Sequence, residues 1–164
     1  PNRSFSGYHG YWPIEPRKID ERFGTEDDFN NLVDIAHSKN IKVVLDFVSN
    51  HVHQDHIYFQ DHEDWFGDFY LSDGNPNIRL WDGETMLTTW FDEFLPSFDF
   101  SNNIEVINQV TEDAIWWVKK YNIDGFRQDA VKHVPHSFWK KLTQNIKNEF
   151  PNKDFYQILS LIHI

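Results

Sequence analysis

Cysteine is absent from the 164 residues, which excludes disulfides, thiolate metal sites and a cysteine nucleophile without fixing a compartment. Basic residues are scarce: 15 Lys and Arg stand against 26 Asp and Glu, a net charge of −11. A surface so acidic repels phosphate backbones, and no basic stripe offsets it, so no nucleic-acid partner is expected. No apolar run approaches the roughly 18 residues that span a bilayer, so no membrane insertion is expected. The first residue is Pro1 rather than Met, so the lack of a signal peptide carries no weight. What is present suits a globular chain, with 40% hydrophobic and 25% charged residues. Aromatics make up 17%, including seven Trp, enough for a packed core and for rings that stack on the apolar faces of sugars.

Residues 1–24 have no helical period and hold Gly7, Gly10, Pro13, Pro16 and Gly24, so they read as a long ordered loop. Thr25 followed by Glu26, Asp27 and Asp28 starts a helix, and Phe29, Leu32, Val33 and Ala36 recur at helical spacing. Residues 41–48 read as a buried parallel strand, apolar on both faces. From Ser49 to about Asn103 the regular pattern stops, too long for a connection and better read as an inserted subdomain. Asn102 with Glu105 predicts the start of a helix whose stripe is Ile107, Val110, Ala114, Trp117 and Val118, ending near Tyr121. A strand at 123–127, a helix capped by Ser137 with Phe138, Leu142 and Ile146 inside, and a strand at 154–158 complete the series. Alternation of this kind predicts an α/β fold with parallel strands, either a (β/α)₈ barrel or a doubly wound sheet. The last six residues, 159–164, resemble the translation of a sequencing-library adapter and are expected to be a non-native tail.

Polar residues gather where the strands end. Strand 41–48 carries Asp46 and runs into Asn50 and His51; strand 123–127 runs into Arg127, Asp129, Lys132 and His133. Ligands bind at this end of parallel α/β sheets. Two acids and a guanidinium there satisfy one another while fixing a carboxylate in place, although a purely structural ion-pair network would do the same for Asp46 and Arg127.

Four segments carry a resemblance. Asp46-Phe47-Val48-Ser49-Asn50-His51 and Gly125-Phe126-Arg127-Gln128-Asp129-Ala130-Val131-Lys132-His133 resemble two signatures of the α-amylase family of glycoside hydrolases. His9-Gly10-Tyr11-Trp12 is similar to a segment upstream in that family, and Leu95-Pro96-Ser97-Phe98-Asp99 to a weaker signature near the end of its inserted domain. The four stand in the family's order.

The resemblance implies a partial (β/α)₈ TIM barrel, about its third to fifth strands, with a small domain inserted after the third. The chain then divides into barrel (1–48), insertion (49–103), barrel (104–158) and tail (159–164). Asp129 would be the catalytic nucleophile, kept ionised and oriented by Arg127, with Asp46 supporting the pair. His9 and His51 would bind sugar hydroxyls, Tyr11 would stack on the ring, and Lys132 and His133 would touch the leaving-group side. The reaction is retaining hydrolysis of α-1,4-glucans through a covalent glycosyl-aspartate, or transfer to another sugar. The family's acid/base Glu follows its fifth strand, here 154–158, where Leu159 and Ser160 stand instead, so this chain alone is expected to be inactive. The intact Asp129, Arg127 and His133 argue against a non-catalytic relative. An α-glucan substrate suggests a secreted or envelope protein.

Calcium is a further implication: Asn50 and the His133 carbonyl match two ligand positions, but Ser97 stands where an Asp ligand is usual. A rival reading is a zinc hydrolase, because His51, His53, Asp55 and His56 follow a strand at metal-binding spacing, with His133 or His136 as a distant ligand. It leaves the Gly-Phe-Arg and His-Gly-Tyr-Trp runs unexplained.

Overall fold

A computed structural model describes residue 7 and residues 9–160. In chain order these form α1 (Glu26–Ser38), β1 (Val44–Phe47), α2 (Ile57–Asp61), α3 (Ile104–Tyr121), β2 (Gly125–Gln128), α4 (His136–Glu149) and β3 (Tyr156–Leu159). The three strands are parallel and lie in the order β1-β2-β3, so each crossover returns the chain to the next place in the sheet. Asp46 is paired with Arg127 in register, and Arg127 with Ile158.

Helices α1 and α3 start where short polar side chains satisfy orphan N–H groups, though not always the ones first expected. Thr25 caps α1 in a reciprocal box with Asp28. For α3 the cap is Asn103 rather than Asn102: Asn103 accepts from the N–H groups of Glu105 and Val106, while the Asn102 amide donates to Asp99. Ser137 lies inside α4, which begins after Pro135 without a side-chain cap. The expected stripe of α3 is buried, and α3 packs on α4 through a core that includes Phe126, Phe138, Leu142 and Ile146.

The outer elements are drier on paper than in the fold. In α1 Val33 is buried but Leu32 is 54% exposed, and β1 is half-buried rather than enclosed, because it forms an edge of the sheet. Leu159 extends β3 by pairing with Gln128, and Ser160 donates its N–H to the Gln128 carbonyl, so two residues set aside as tail continue the ladder. The other four, 161–164, lie outside the described residues.

Residues 48–103 hold one short helix, 3-10 turns and isolated bridges. His56 caps α2, its Nδ1 accepting from the Tyr58 N–H. Burial lowers the pKa of this imidazole to about 4. Unfolded, it would titrate near 6.5, so the stability it confers is complete above that value and drains away as pH falls toward 4. The loss amounts to about 3 kcal/mol. Urea melts across this range should show it, and His56→Asn, which keeps the cap acceptor, should flatten the profile.

Candidate active site

The site is assembled by strand register. Asp46 and Arg127 are neighbours on adjacent parallel strands, so their side chains project from the same face. Asp129 lies two residues beyond Arg127 and keeps to the ladder, its N–H donating to the Phe47 carbonyl at 3.3 Å. Arg127 Nη1 stands 3.0 Å from both oxygens of Asp46 and 2.8 Å from Asp129 Oδ1. Its other nitrogen, Nη2, donates to Ser160 Oγ at 2.8 Å. The first loop adds Tyr11, whose hydroxyl donates to Asp46 Oδ2 at 2.9 Å.

One guanidinium nitrogen has two hydrogens and here faces two carboxylates. Both Asp46 oxygens take hydrogen bonds, while Asp129 Oδ1 is close in distance but off the line of one. The two acids differ in solvation: the Asp46 side chain is 43% exposed, that of Asp129 8%. Burial pushes the Asp129 carboxyl above its ordinary range, Arg127 pulls it back, and Asp46 adds to the rise. Arg127 therefore acts in the expected direction, but desolvation outweighs it. A desolvated carboxylate held beside a guanidinium is a competent nucleophile once ionised.

Immediately after Asp129 the backbone turns at Ala130, which adopts φ 51° and begins the 3-10 turn Val131–His133. That turn leaves Lys132 exposed and buries His133, whose Nδ1 donates to the Met86 carbonyl at 2.9 Å. His51 is held on the other flank, its Nε2 donating to the Tyr11 carbonyl at 3.1 Å. His9 accepts from the Tyr11 N–H and packs beside the Tyr11 and Trp12 rings. Of the eight side chains expected for catalysis and substrate binding, Tyr11, Asp46, Arg127 and Asp129 form one contiguous cluster. His9 and His51 adjoin it through Tyr11, and His133 packs against Trp81 and Phe91. Ser160 belongs to the cluster and was not expected there, having been assigned to the tail.

The metal readings fare differently. Among the described residues no three His, Asp or Glu side chains converge as a metal cluster. His53 binds Asp55, His56 caps α2 and His51 meets Tyr11, so the four zinc candidates serve separate local ends. His136 is an exposed residue at the start of α4. Buried Asn50 donates from its amide to Ser97 Oγ at 3.2 Å. That amide–hydroxyl pair has no carboxylate, a poor match for the oxygen-rich, charged shell of calcium. A chelator should accordingly leave the thermal midpoint unchanged, which a melt with and without EDTA checks.

A cleft of about 710 Å³ opens at the opposite end of the strands, lined by His37, Lys42, Asp124 and Lys153. Burial opposes ionisation of Asp124, but the Val43 N–H, His37 and Lys42 hold its pKa down to about 2. This cluster ties α1 to the strand starts and has no free carboxylate to offer.

Residues 2–159 match the family description "Alpha amylase, catalytic domain". The chain belongs to the α-amylase family. Among curated relatives, α-amylase 2 of Dictyoglomus thermophilum is 30% identical over 154 residues, covering 92% of this chain and 26% of the relative. A cyclomaltodextrin glucanotransferase of Geobacillus stearothermophilus is 33% identical over 158 residues, covering 89% and 22%. The crystal structure of a Geobacillus thermoleovorans α-amylase complexed with acarbose superposes with a TM-score of 0.79 at 36% identity, covering 93% of this chain and 33% of that one. The chain thus spans about a quarter of the length of these curated α-amylase-family relatives. Its three strands are a portion of an α-amylase-type barrel.

Proposed function

We propose that this chain carries the nucleophile side of a retaining, α-1,4-glucan-active site. The observation that supports it most is the state of Asp129: buried at the strand end, with Oδ1 2.8 Å from the Arg127 guanidinium. Asp129 would attack the anomeric carbon, the C1–O bond to the leaving sugar would break, and a covalent glycosyl ester would form. Arg127 stabilises the attacking carboxylate, and Asp46 anchors Arg127 from the solvated side. His9 and His51 would take sugar hydroxyls, Tyr11 would offer its ring, and Lys132 and His133 would meet the sugar on the departing side.

The leaving oxygen also needs a proton, and later a water needs a base. At the tip of β3, where the family resemblance puts that Glu, the chain has Ser160 bound to Arg127. Hydrolysis of starch by this chain alone is therefore not expected. Starch or maltodextrin is proposed as the substrate because the relatives are named for amylase and glucanotransferase activity. Transfer to a sugar hydroxyl instead of water is the second reading, favoured by the glucanotransferase among those relatives. The division into barrel and insertion is supported by the pinning of both ends of segment 50–98, where the Phe98 N–H donates to the Asn50 carbonyl.

The test uses a substrate that needs no acid. A 5-fluoro-α-maltosyl fluoride leaves as fluoride without protonation, so the chain should still form the ester. Peptide mass spectrometry should find the sugar on Asp129; a label on another residue, or none, would overturn the assignment.

A further inference from the structure

The inserted segment places one strained residue behind the site. Arg79 adopts φ 55°, a left-handed conformation that disfavours a residue with a Cβ. Its backbone N–H donates to the Trp90 carbonyl at 2.9 Å. From that position the guanidinium grips two successive residues, Nε donating to the Phe91 carbonyl at 3.2 Å and Nη2 to Asp92 Oδ2 at 2.7 Å. The ion pair is half-exposed and by itself worth little. What the grip controls is Phe91. That ring stacks on His51 with centroids 4.5 Å apart and planes at 22°, and meets the edge of His133 at 5.3 Å. Trp81 closes the group, 5.0 Å from Phe91 and 5.2 Å from His133.

Two imidazoles far apart in sequence therefore share one aromatic neighbour, and the backbone of that neighbour is clamped by Arg79. Strain at a non-glycine residue persists only where surrounding contacts over-determine it. Glycine would adopt the same backbone without cost but could not hold Phe91. We infer that Arg79 is a positioning residue, acting through Phe91 to fix the orientation of His51 and His133. Which reaction the two histidines serve rests on the glucan-site reading; their positioning does not.

Histidine-selective NMR of the whole chain tests this. In Arg79→Gly the left-handed backbone is relieved and the fold retained, so the thermal midpoint should hold or rise. The imidazole C–H resonances of His51 and His133 should nevertheless move toward those of Phe91→Leu, which removes the ring outright. His37, at the far end of the strands, should not move. Arg79→Lys keeps a cation facing Asp92 but cannot also hold the Phe91 carbonyl, and should show the same displacement. Superimposable His51 and His133 resonances in both Arg79 variants and the parent chain would overturn the inference. Maltoheptaose added to the parent chain is a separate arm: silence at both histidines would count against the glucan reading and leave the positioning result standing.

Discussion

Replacing Asp129 by Asn should abolish sugar labelling of the chain, lowering the rate of ester formation by on the order of 10⁴-fold or more. The amide is nearly the same size as the carboxylate, so packing against the strand end is kept while nucleophilicity is lost. The fold should tolerate the change, since burial already disfavours the ionised carboxyl at this position. Activated fluorides make the measurement clean. Fluoride departs unassisted, and the 5-fluoro substituent slows loss of the ester enough for it to be counted. Fitting the mass-spectrometric time course for both proteins gives the ratio directly. Equal labelling of Asp129→Asn and parent would mean that some other group attacks, and the role given to the Arg127–Asp129 pair would have to be abandoned.

Gly125→Ala is expected to be the most damaging small substitution in the sheet. Gly125 sits on the central strand, in register with Val44 on one side and Tyr156 on the other. A Cβ there would fall inside contact distance of the Tyr156 carbonyl oxygen and 2.8 Å from its Cβ. The nearest obstacle is backbone, so relief requires β2 and β3 to part rather than a side chain to turn. The expected cost is about 3 kcal/mol, at the upper end of the range for overpacking. That corresponds to a fall of roughly 10 °C in the thermal midpoint of a chain this size. Gly74→Ala is the control: it has φ +84° but nothing within 4 Å, so it should lose only the left-handed preference, about 1 kcal/mol. Comparable losses at both positions would show that conformational freedom, not strand spacing, explains the glycine before Phe126.

That requirement shows why much of the site was legible. Gly125, Arg127 and Asp129 are bound to one strand and its register, and a strand projects its chemistry at fixed intervals of two. The partnership of Asp46 with Arg127 follows from two parallel strands ending together. Helix periods were equally readable where one face meets a continuous core, as in α3. Short-range competition was not readable: Asn102 and Asn103 are the same residue type, and only the claim of Asp99 on the first left the second to cap the helix. Leu32 matched the apolar spacing of α1, yet spacing reports which residues share a face and not whether anything covers it. Phe91 left no trace at all, because its contacts to His51 and His133 arise in irregular backbone where no period exists. The contact of Ser160 with Arg127 has no signature in the sequence either, because it depends on where the last strand of the chain comes to rest.

The neck of segment 50–98 has a consequence for how such a chain can change. Three cross-links, from Val52 to Pro96, Gln54 to Phe94 and Phe98 to Asn50, bring the two ends together like the drawstring of a pouch. What lies inside the pouch can lengthen while the mouth stays the same width, and each doubling of a flexible loop adds only about 0.6 kcal/mol of closure entropy. Insertions between Gln54 and Phe94 should therefore leave the spacing of Asn50 from the strand-end carboxylates unchanged.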